Sequence, residues 1–449
     1  MYTTSDEIVK LLESFNTGIK KEMEIGTAYY KSENVAISKR EMSFYSITHQ
    51  RLLEDYSKAN NKLKSGYTKI IVDQKLGYLI NKDTTITVDS EDIANTLDIS
   101  KYKKATKKVA KNASNEFYGV LQWYIDKDKQ LRFKVIPSQQ VMIKMDEDDE
   151  DRIATVIRQF WVGKYHFAEV YDDKYIYTWM KHKNDKNYSL MEKTSNLMMR
   201  TMVNDTVIGE QEESWGRPPF SILFNNDEHT NDLNMFKAYV DLYDIVSSDF
   251  GNNLEDYQEM YWVLKNYSGT NAAEFMEEFK KSRILKVGDG GDAKQVAQEV
   301  PYAARIALMN ALTNDIFTFG MAVDVKDVAG KTTNVTIKAL FANLDLKAND
   351  FELEIEDYFQ QCVYFINRYR QVIGKQPIEP KLTLTRARIL NASEAIDDVL
   401  KQRGFRADKM LLKLLPGVTD VDAEIEALKE QQKEEADSLG NDMGFEDGE

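Results

Sequence analysis

The sequence predicts an α+β fold, predominantly helical, with an antiparallel β meander set between helical segments. Three observations carry this. Between 115 and 225 apolar residues alternate with period two, while on either side they recur at steps of three and four. Proline is confined to Pro137, Pro218, Pro219, Pro301, Pro377, Pro380 and Pro416, so none interrupts 220–300 or 302–376 and long helices are permitted there. From Asn231 to Gly374 the pattern reads helix, glycine-rich hairpin, helix, glycine loop and very long helix.

In chain order, 4–24 and 39–60 read as charged amphipathic helices, and 61–80 as a third, more apolar one. Thr84–Val88 is a short strand of β-branched residues. The helix expected at 91–113 carries six lysines from Lys101 to Lys111. Interleaved with alanine and valine at helical spacing, they read as a solvated face rather than a phosphate site. Phe117–Ile125, Leu131–Ile136, Ile153–Val162, Tyr165–Tyr171 and Tyr175–Met180 are strands, with turns at Asp126–Gln130 and Asp172–Asp173. WGRPPF at 215–220 closes the meander.

The first helix of the central segment places Phe236, Tyr239, Tyr243, Val246, Phe250, Leu254, Tyr257 and Tyr261 on one face. It runs about 30 residues, or roughly 45 Å. Tyr261–Tyr267, Arg283–Val287 and Lys294–Val300 read as strands, with a short helix at Asn271–Lys281 and a turn at Gly288-Asp289-Gly290-Gly291. Pro301 suits the first turn of the second helix, which ends near Phe319. Residues 320–334 form a loop with Gly320 and Gly330, and the third helix spans Val335–Ile373. Gly374 stops it, with Pro377 and Pro380 behind. A short strand at 381–385, further helices and an acidic tail from Glu430 complete the chain.

A length of 449 residues allows two or three domains, and 42% hydrophobic content is that of a folded protein. The net charge of -15 argues against tight nucleic-acid binding by the chain as a whole. It does not exclude a path along which DNA slides without sticking. Cys362, the single cysteine, reads as a small buried hydrophobe in a reducing compartment. Met1–Lys10 is polar, unlike a signal peptide. No apolar run nears the roughly 18–20 residues of a membrane span. A soluble protein made in the cytoplasm is therefore expected.

Gly330-Lys331-Thr332 precedes a helix, but Val325 stands where a P-loop has its first glycine and no strand comes before. The run Asp146–Asp151 lacks the glycine and glutamate of a calcium loop, with Asp151 and Ile157 at those places. His49, His166, His182 and His229 are scattered, and neither CxxC nor GxSxG occurs. No catalytic residue, metal site or cofactor is singled out. Carboxylates are numerous enough that a metal-dependent nuclease remains the alternative reading, and a coiled-coil scaffold a third. Lys326 and Lys331 in the loop and Lys338 just beyond would be ordinary surface charges in a monomer, and circles of positive charge in a ring.

Several phrases, in order, carry a resemblance. They are NNKLKSGYTKIIVDQKLGYLINKDTTITVD at 60–89, FYGVLQWYIDKDKQLRFKVIPSQQVMI at 117–143 and RPPFSILFNNDEHTNDL at 217–233. VDLYDIVSSDFGNNLEDYQEMYWVLKNYSG at 240–269, IKALFANLDLKANDFELEIEDYF at 337–359 and LLPGVTDVDAEIEALKEQ at 414–431 follow. Together they resemble the portal, or head–tail connector, proteins of tailed bacteriophages, in particular those of long-tailed phages of Gram-positive hosts. The chain departs from the family at Asn81-Lys82-Asp83, where a glycine and a proline are common.

The resemblance implies a phage portal fold with wing, stem, clip and crown, assembled as a ring of usually twelve subunits around a central channel at one capsid vertex. Residues 1–231 would form the wing, 232–261 stem helix 1, 262–300 the clip and 301–320 stem helix 2. Residues 321–334 would be the tunnel loop, 335–374 a long wing helix, 375–391 a returning wing strand, and 392–449 crown helices and acidic tail. Double-stranded DNA would pass non-specifically during packaging and ejection, past Lys326, Lys331, Lys338, Gly320 and Gly330. The loop glycines would let it adapt to the passing duplex. The clip, with Tyr267, Gly288, Gly290 and Gly291, would dock the terminase large subunit and later the head-completion protein. Capsid and scaffolding proteins are the other implied partners; no enzyme activity, cofactor or membrane is implied.

Overall fold

A computed structural model describes the chain except residues 1–3, 47–49, 55–58, 83, 88–97, 150–151, 204–205, 257–260, 266–291, 297–301, 329–332, 388–391, 413, 416–420 and 443–449. The amino-terminal helices are α1 (Ser5–Thr17), α2 (Ile19–Tyr30) and the short α3 (Val35–Ser38). The expected helix at 4–24 is thus broken at Gly18, whose ψ of -112° is not helical. A capping box formed by Thr4 and Glu7 starts α1.

The expected helix at 39–60 does not form. Its described residues contain two strands, β1 (Ser43–Ser46) and β2 (Arg51–Glu54), paired with each other in antiparallel register. Gln50, at a φ of +50°, provides the left-handed turn before β2. Residues 61–66 are not helical, and the third expected helix begins only at Tyr67, as α4 (Tyr67–Leu79). Strand β3 (Thr85–Thr87) and helix α5 (Ile99–Glu116) follow. Tyr102, Val109, Ala110 and Ala113 of α5 are buried while Lys101, Lys104, Lys107 and Lys108 are exposed, so these lysines do form a solvated face.

The meander is present and larger than its alternation suggested. It comprises β4 (Tyr118–Ile125), β5 (Leu131–Ile136), β6 (Val141–Met145), β7 (Ile153–Val162), β8 (Tyr165–Tyr171), β9 (Tyr175–His182), β10 (Ser189–Ser195), β11 (Leu197–Val203), β12 (Thr206–Glu213) and β13 (Phe220–Phe224). They form a five-stranded sheet in the order β10-β9-β8-β7-β6, a three-stranded sheet β13-β4-β5 and a separate β11-β12 hairpin. Helix α5 lies so close to β4 that a Cβ on Gly119 would stand 2.0 Å from the Val109 carbonyl oxygen. Gly119→Ala is therefore expected to push helix and strand apart and cost about 1–3 kcal/mol, read as a lowered urea midpoint with an unchanged slope.

Helix α6 (Lys237–Asp256) follows a 3-10 turn at Asp232–Met235. Its described length of 20 residues is shorter than the expected rod. Strands β14 (Tyr261–Lys265) and β15 (Asp292–Val296) pair antiparallel, at the places of the first and last strands expected between the helices. The expected helix at 271–281, the strand at 283–287 and the turn at 288–291 lie outside the described residues. Helix α7 (Tyr302–Phe319), the short α8 (Val325–Val328) and the long α9 (Asn334–Val372) come next. Strand β16 (Lys381–Thr383) pairs antiparallel with β3, and α10 (Ala392–Lys401), α11 (Asp408–Leu412) and α12 (Val421–Asp442) end the chain.

The 39-residue α9 is the spine of the largest core. Ile337, Phe341, Leu344, Ala348, Phe351, Ile355, Tyr358, Cys362, Phe365 and Tyr369 are buried on it. Their spacing alternates strictly between four and three, which keeps one seam inward over the whole length. Against that seam pack Val72 and Leu76 of α4, Tyr102 and Val109 of α5, and Leu121, Trp123 and Leu223 of the three-stranded sheet. Cys362 is fully buried and burial pushes its thiol up to about 11, consistent with a packing role.

Candidate functional site at the foot of the helical pair

Helices α6 and α7 lie antiparallel. Tyr239 stacks on Phe319 with ring centroids 4.9 Å apart, and Phe250 meets Tyr302 at 5.8 Å. Residues rising along α6 thus meet residues falling along α7. Near the foot, Tyr67 of α4 inserts edge-on between Tyr243 (5.1 Å) and Phe317 (5.9 Å). Its hydroxyl lies 3.0 Å from Thr313 Oγ1.

The buried side of α6 is apolar only at its start. Phe236 and Val240 are buried, but the same i+4 series continues as Asp244, Ser248 and Asn252. These polar side chains hold an extended stretch of the amino-terminal region. Asp244 Oδ1 accepts from Ser65 N at 2.9 Å, Ser248 Oγ from Leu63 N at 3.0 Å, and Asn252 Oδ1 from Asn61 N at 2.7 Å. Four helical residues rise about 6.0 Å and two extended residues span roughly 6.6 Å, so the two repeats stay in step. This polar face is occupied within the chain.

At the foot itself sits a buried charge cluster that reading by sequence missed. Lys75 of α4 is 1% exposed. Its Nζ lies 2.9 Å from Asp232 Oδ2, donates to Asn225 Oδ1 at 2.7 Å and stands 4.2 Å from the centre of the Phe351 ring. Lys347 of α9 reaches the same Asp232 oxygen at 3.2 Å and donates to the Gly320 carbonyl at 3.0 Å. Asn225 Nδ2 also donates to Asp232 Oδ1 at 3.0 Å. Asp232 opens the 3-10 turn that leads into α6, while Gly320 follows the last residue of α7. Lys347 therefore bridges the feet of both helices to the long one.

Two lysines hold the Asp232 carboxylate down to about 2 against the opposing effect of burial. Burial pushes the Lys75 ammonium down, with Lys347 adding to it and Asp232 opposing. The signal for Lys75 was its position: it lies one turn from Ile71 and Leu79 on a helix otherwise buried there, where a lysine has no solvent to reach.

Of the residues singled out beforehand, Lys326 stands exposed on α8 and Lys338 exposed near the start of α9. Gly330 and Lys331, and Tyr267, Gly288, Gly290 and Gly291, lie outside the described residues. Gly320 is not the pliable hinge its residue type suggested. It is buried, and a Cβ there would meet Ile316 O and Ile71 Cδ1, each at 2.7 Å. The left-handed residue that ends α7 is Met321, at a φ of +51°. Ala322 N donates to Phe317 O at 2.9 Å and Met321 N to Thr318 O at 3.1 Å, the paired bonds of a Schellman cap.

Among known proteins, the family model described as "Phage portal protein, SPP1 Gp6-like" matches residues 16–438. The chain is 27% identical over 443 residues to the portal protein of Bacillus phage SPP1, covering 94% of this chain and 86% of that one. It is 23% identical over 456 residues to the portal protein of Clostridium phage phiCD119, covering 97% of this chain and 98% of that one. With a family match over nearly its whole length, the chain belongs to the SPP1 Gp6-like family of phage portal proteins.

Proposed function

We propose that this portal protein works as one subunit of a ring, of twelve copies in the virion, at one vertex of the capsid. The ring is the channel through which double-stranded DNA is packaged and later ejected. The observation that carries the ring is the uncovered apolar surface of the helical pair. On α7 only Leu312, Ile316 and Phe317 are buried, while Tyr302 is 62% and Leu308 43% exposed among exposed alanines. Leu242 and Leu254 of α6 are exposed as well. A helix apolar on most sides asks for cover, and neighbouring copies supply it in a ring.

In this reading 1–231 is the wing, 232–261 and 301–320 the stem, 262–300 the clip, 321–334 the tunnel loop, 335–374 the long wing helix, 375–391 the returning strand and 392–449 the crown. The clip docks the terminase large subunit and then the head-completion protein; capsid and scaffolding proteins meet the outer parts. Twelve copies carry a formal charge of -180 (12 × -15). Duplex DNA carries a charge about every 1.7 Å of its axis, so a net-negative wall repels it and keeps contacts few. Rings of Lys326, Lys331 and Lys338 offset that repulsion locally. Twelvefold symmetry has no common period with roughly 10.5 base pairs per turn, so base-specific contact is not expected. The ring is a conduit without a catalytic site, and ATP hydrolysis belongs to its motor partner.

Electron micrographs of the purified protein test this directly, by rings with an axial hole. Leu308→Glu is expected to abolish rings, leaving a monomer by light scattering whose thermal melting is little changed, because Leu308 is exposed and is not one of the buried core residues. Rings that persist in this variant would remove α7 from the subunit interface.

A further inference from the structure

We infer that Gln74 is a positioning residue for DNA contact: it fixes the base from which Lys326 projects. The inference rests on the reading of 321–334 as the loop nearest DNA. Its observation is a two-point grip. Val323 N donates to Gln74 Oε1 at 2.8 Å, and Gln74 Nε2 donates to the Val323 carbonyl at 3.0 Å. One side-chain amide thus satisfies both backbone polar groups of a residue that is 4% exposed, as a paired strand would.

The chain leading to Val323 is held at every step. Gly320 is wedged against Ile71 of α4, and its carbonyl accepts from Lys347. Met321 and Ala322 are bound in the cap that ends α7. Beyond Val323, the Asp324 carboxylate accepts from Lys326 N at 3.0 Å and opens the turn Val325–Val328. Lys326 therefore stands three residues from a base held by Gln74 of α4 and Lys347 of α9. A shift of either helix carries that base with it. Neither the abundance of lysine in the loop nor its glycines sets this position; an uncharged side chain almost 250 residues away does.

A merely structural role for Gln74 and a positioning role part company in a double-mutant cycle. Portal rings carrying Gln74→Leu, Lys326→Ala or both would be built into heads, and the DNA retained after packaging measured. Gln74→Leu and Lys326→Ala are each expected to change retention on the order of fivefold. The double variant should equal Lys326→Ala alone. Gln74→Glu, whose carboxylate still accepts from Val323 N, should restore part of the native value, and hydrogen exchange at Val323 N should follow the same order. Additive effects, or a Gln74→Leu ring that retains DNA normally, overturn the proposal. Rings that package normally with Lys326→Ala overturn it too, while leaving the conduit standing; absence of rings in the unmutated protein would instead sink the conduit reading.

Discussion

Asp232→Ala is expected to destabilise the chain by about 3–5 kcal/mol, because it strands the buried Lys75 ammonium and the nearly buried Lys347 without their shared carboxylate. The loss comes mainly from the uncompensated charges that remain. Removing one partner together with the group it balances should therefore recover much of it. Asp232→Asn combined with Lys75→Met leaves one lysine, one neutral amide and an apolar side chain beside Phe351, and is expected to be more stable than Asp232→Ala alone. Denaturant unfolding of ring-free protein measures both. The same carboxylate predicts an acid limb. Its folded pKa of about 2 lies below the ordinary carboxylate value of 3.8, so its stabilisation is present above about pH 4 and lost as pH falls through 2. Each unit of such a shift corresponds to about 1.4 kcal/mol, so the limb amounts to roughly 2 kcal/mol. It should be missing from Asp232→Asn. Because Lys347 ties Asp232 to Gly320, loss of the carboxylate is also expected to loosen the angle between α6 and α7 before the rest of the chain unfolds.

The long helix was legible to within a residue at each end, because nothing in it contradicts a helix. Its apolar seam never breaks step, and Gly374 closes it with a φ of +73° where a left-handed residue is needed. The meander was legible in kind, through alternation, but β6 and β10 to β13 were not individually named. Short strands with exposed faces lose the alternation: β10 is exposed over its first five residues. The hairpin β1–β2 was misread as a helix. Four-residue strands are too short to show a period, and these two pair with each other. The junction was hardly legible at all. Lys75 and Asp232 are 157 residues apart and Gln74 and Val323 249, and no local pattern encodes such a pairing. Gly320 misled for a related reason. A glycine in a loop suggests freedom, yet this one is present because Ile71 approaches its Cα from another helix.

The other large effect belongs to the seam of α9. Phe365 is fully buried and is the meeting point of three aromatic neighbours: Trp123 stacked at 6.0 Å, Trp215 edge-on at 5.6 Å and Tyr364 edge-on at 5.4 Å. Trp123 belongs to the central strand of the three-stranded sheet, and its indole N–H is held by Ser221 Oγ at 2.9 Å. Trp215 lies in the WGRPPF segment, and its backbone carbonyl accepts from Tyr364 Oη at 2.6 Å. Neither indole can turn to fill a gap without breaking a bond or its own packing. Phe365→Ala should therefore leave an open cavity and cost about 3–5 kcal/mol, at the upper end for sites that do not collapse. Phe365→Leu, which keeps most of the volume, should cost less than half of that. Urea unfolding followed by tryptophan fluorescence reports on both variants, since Trp123 and Trp215 flank the cavity. Xenon or benzene added to Phe365→Ala should restore part of the stability if the cavity is dry and apolar. A Phe365→Ala variant within about 1 kcal/mol of the native chain would mean that the sheet and α9 repack around the gap. The long helix would then not be the rigid support on which the foot of α6 and α7 depends.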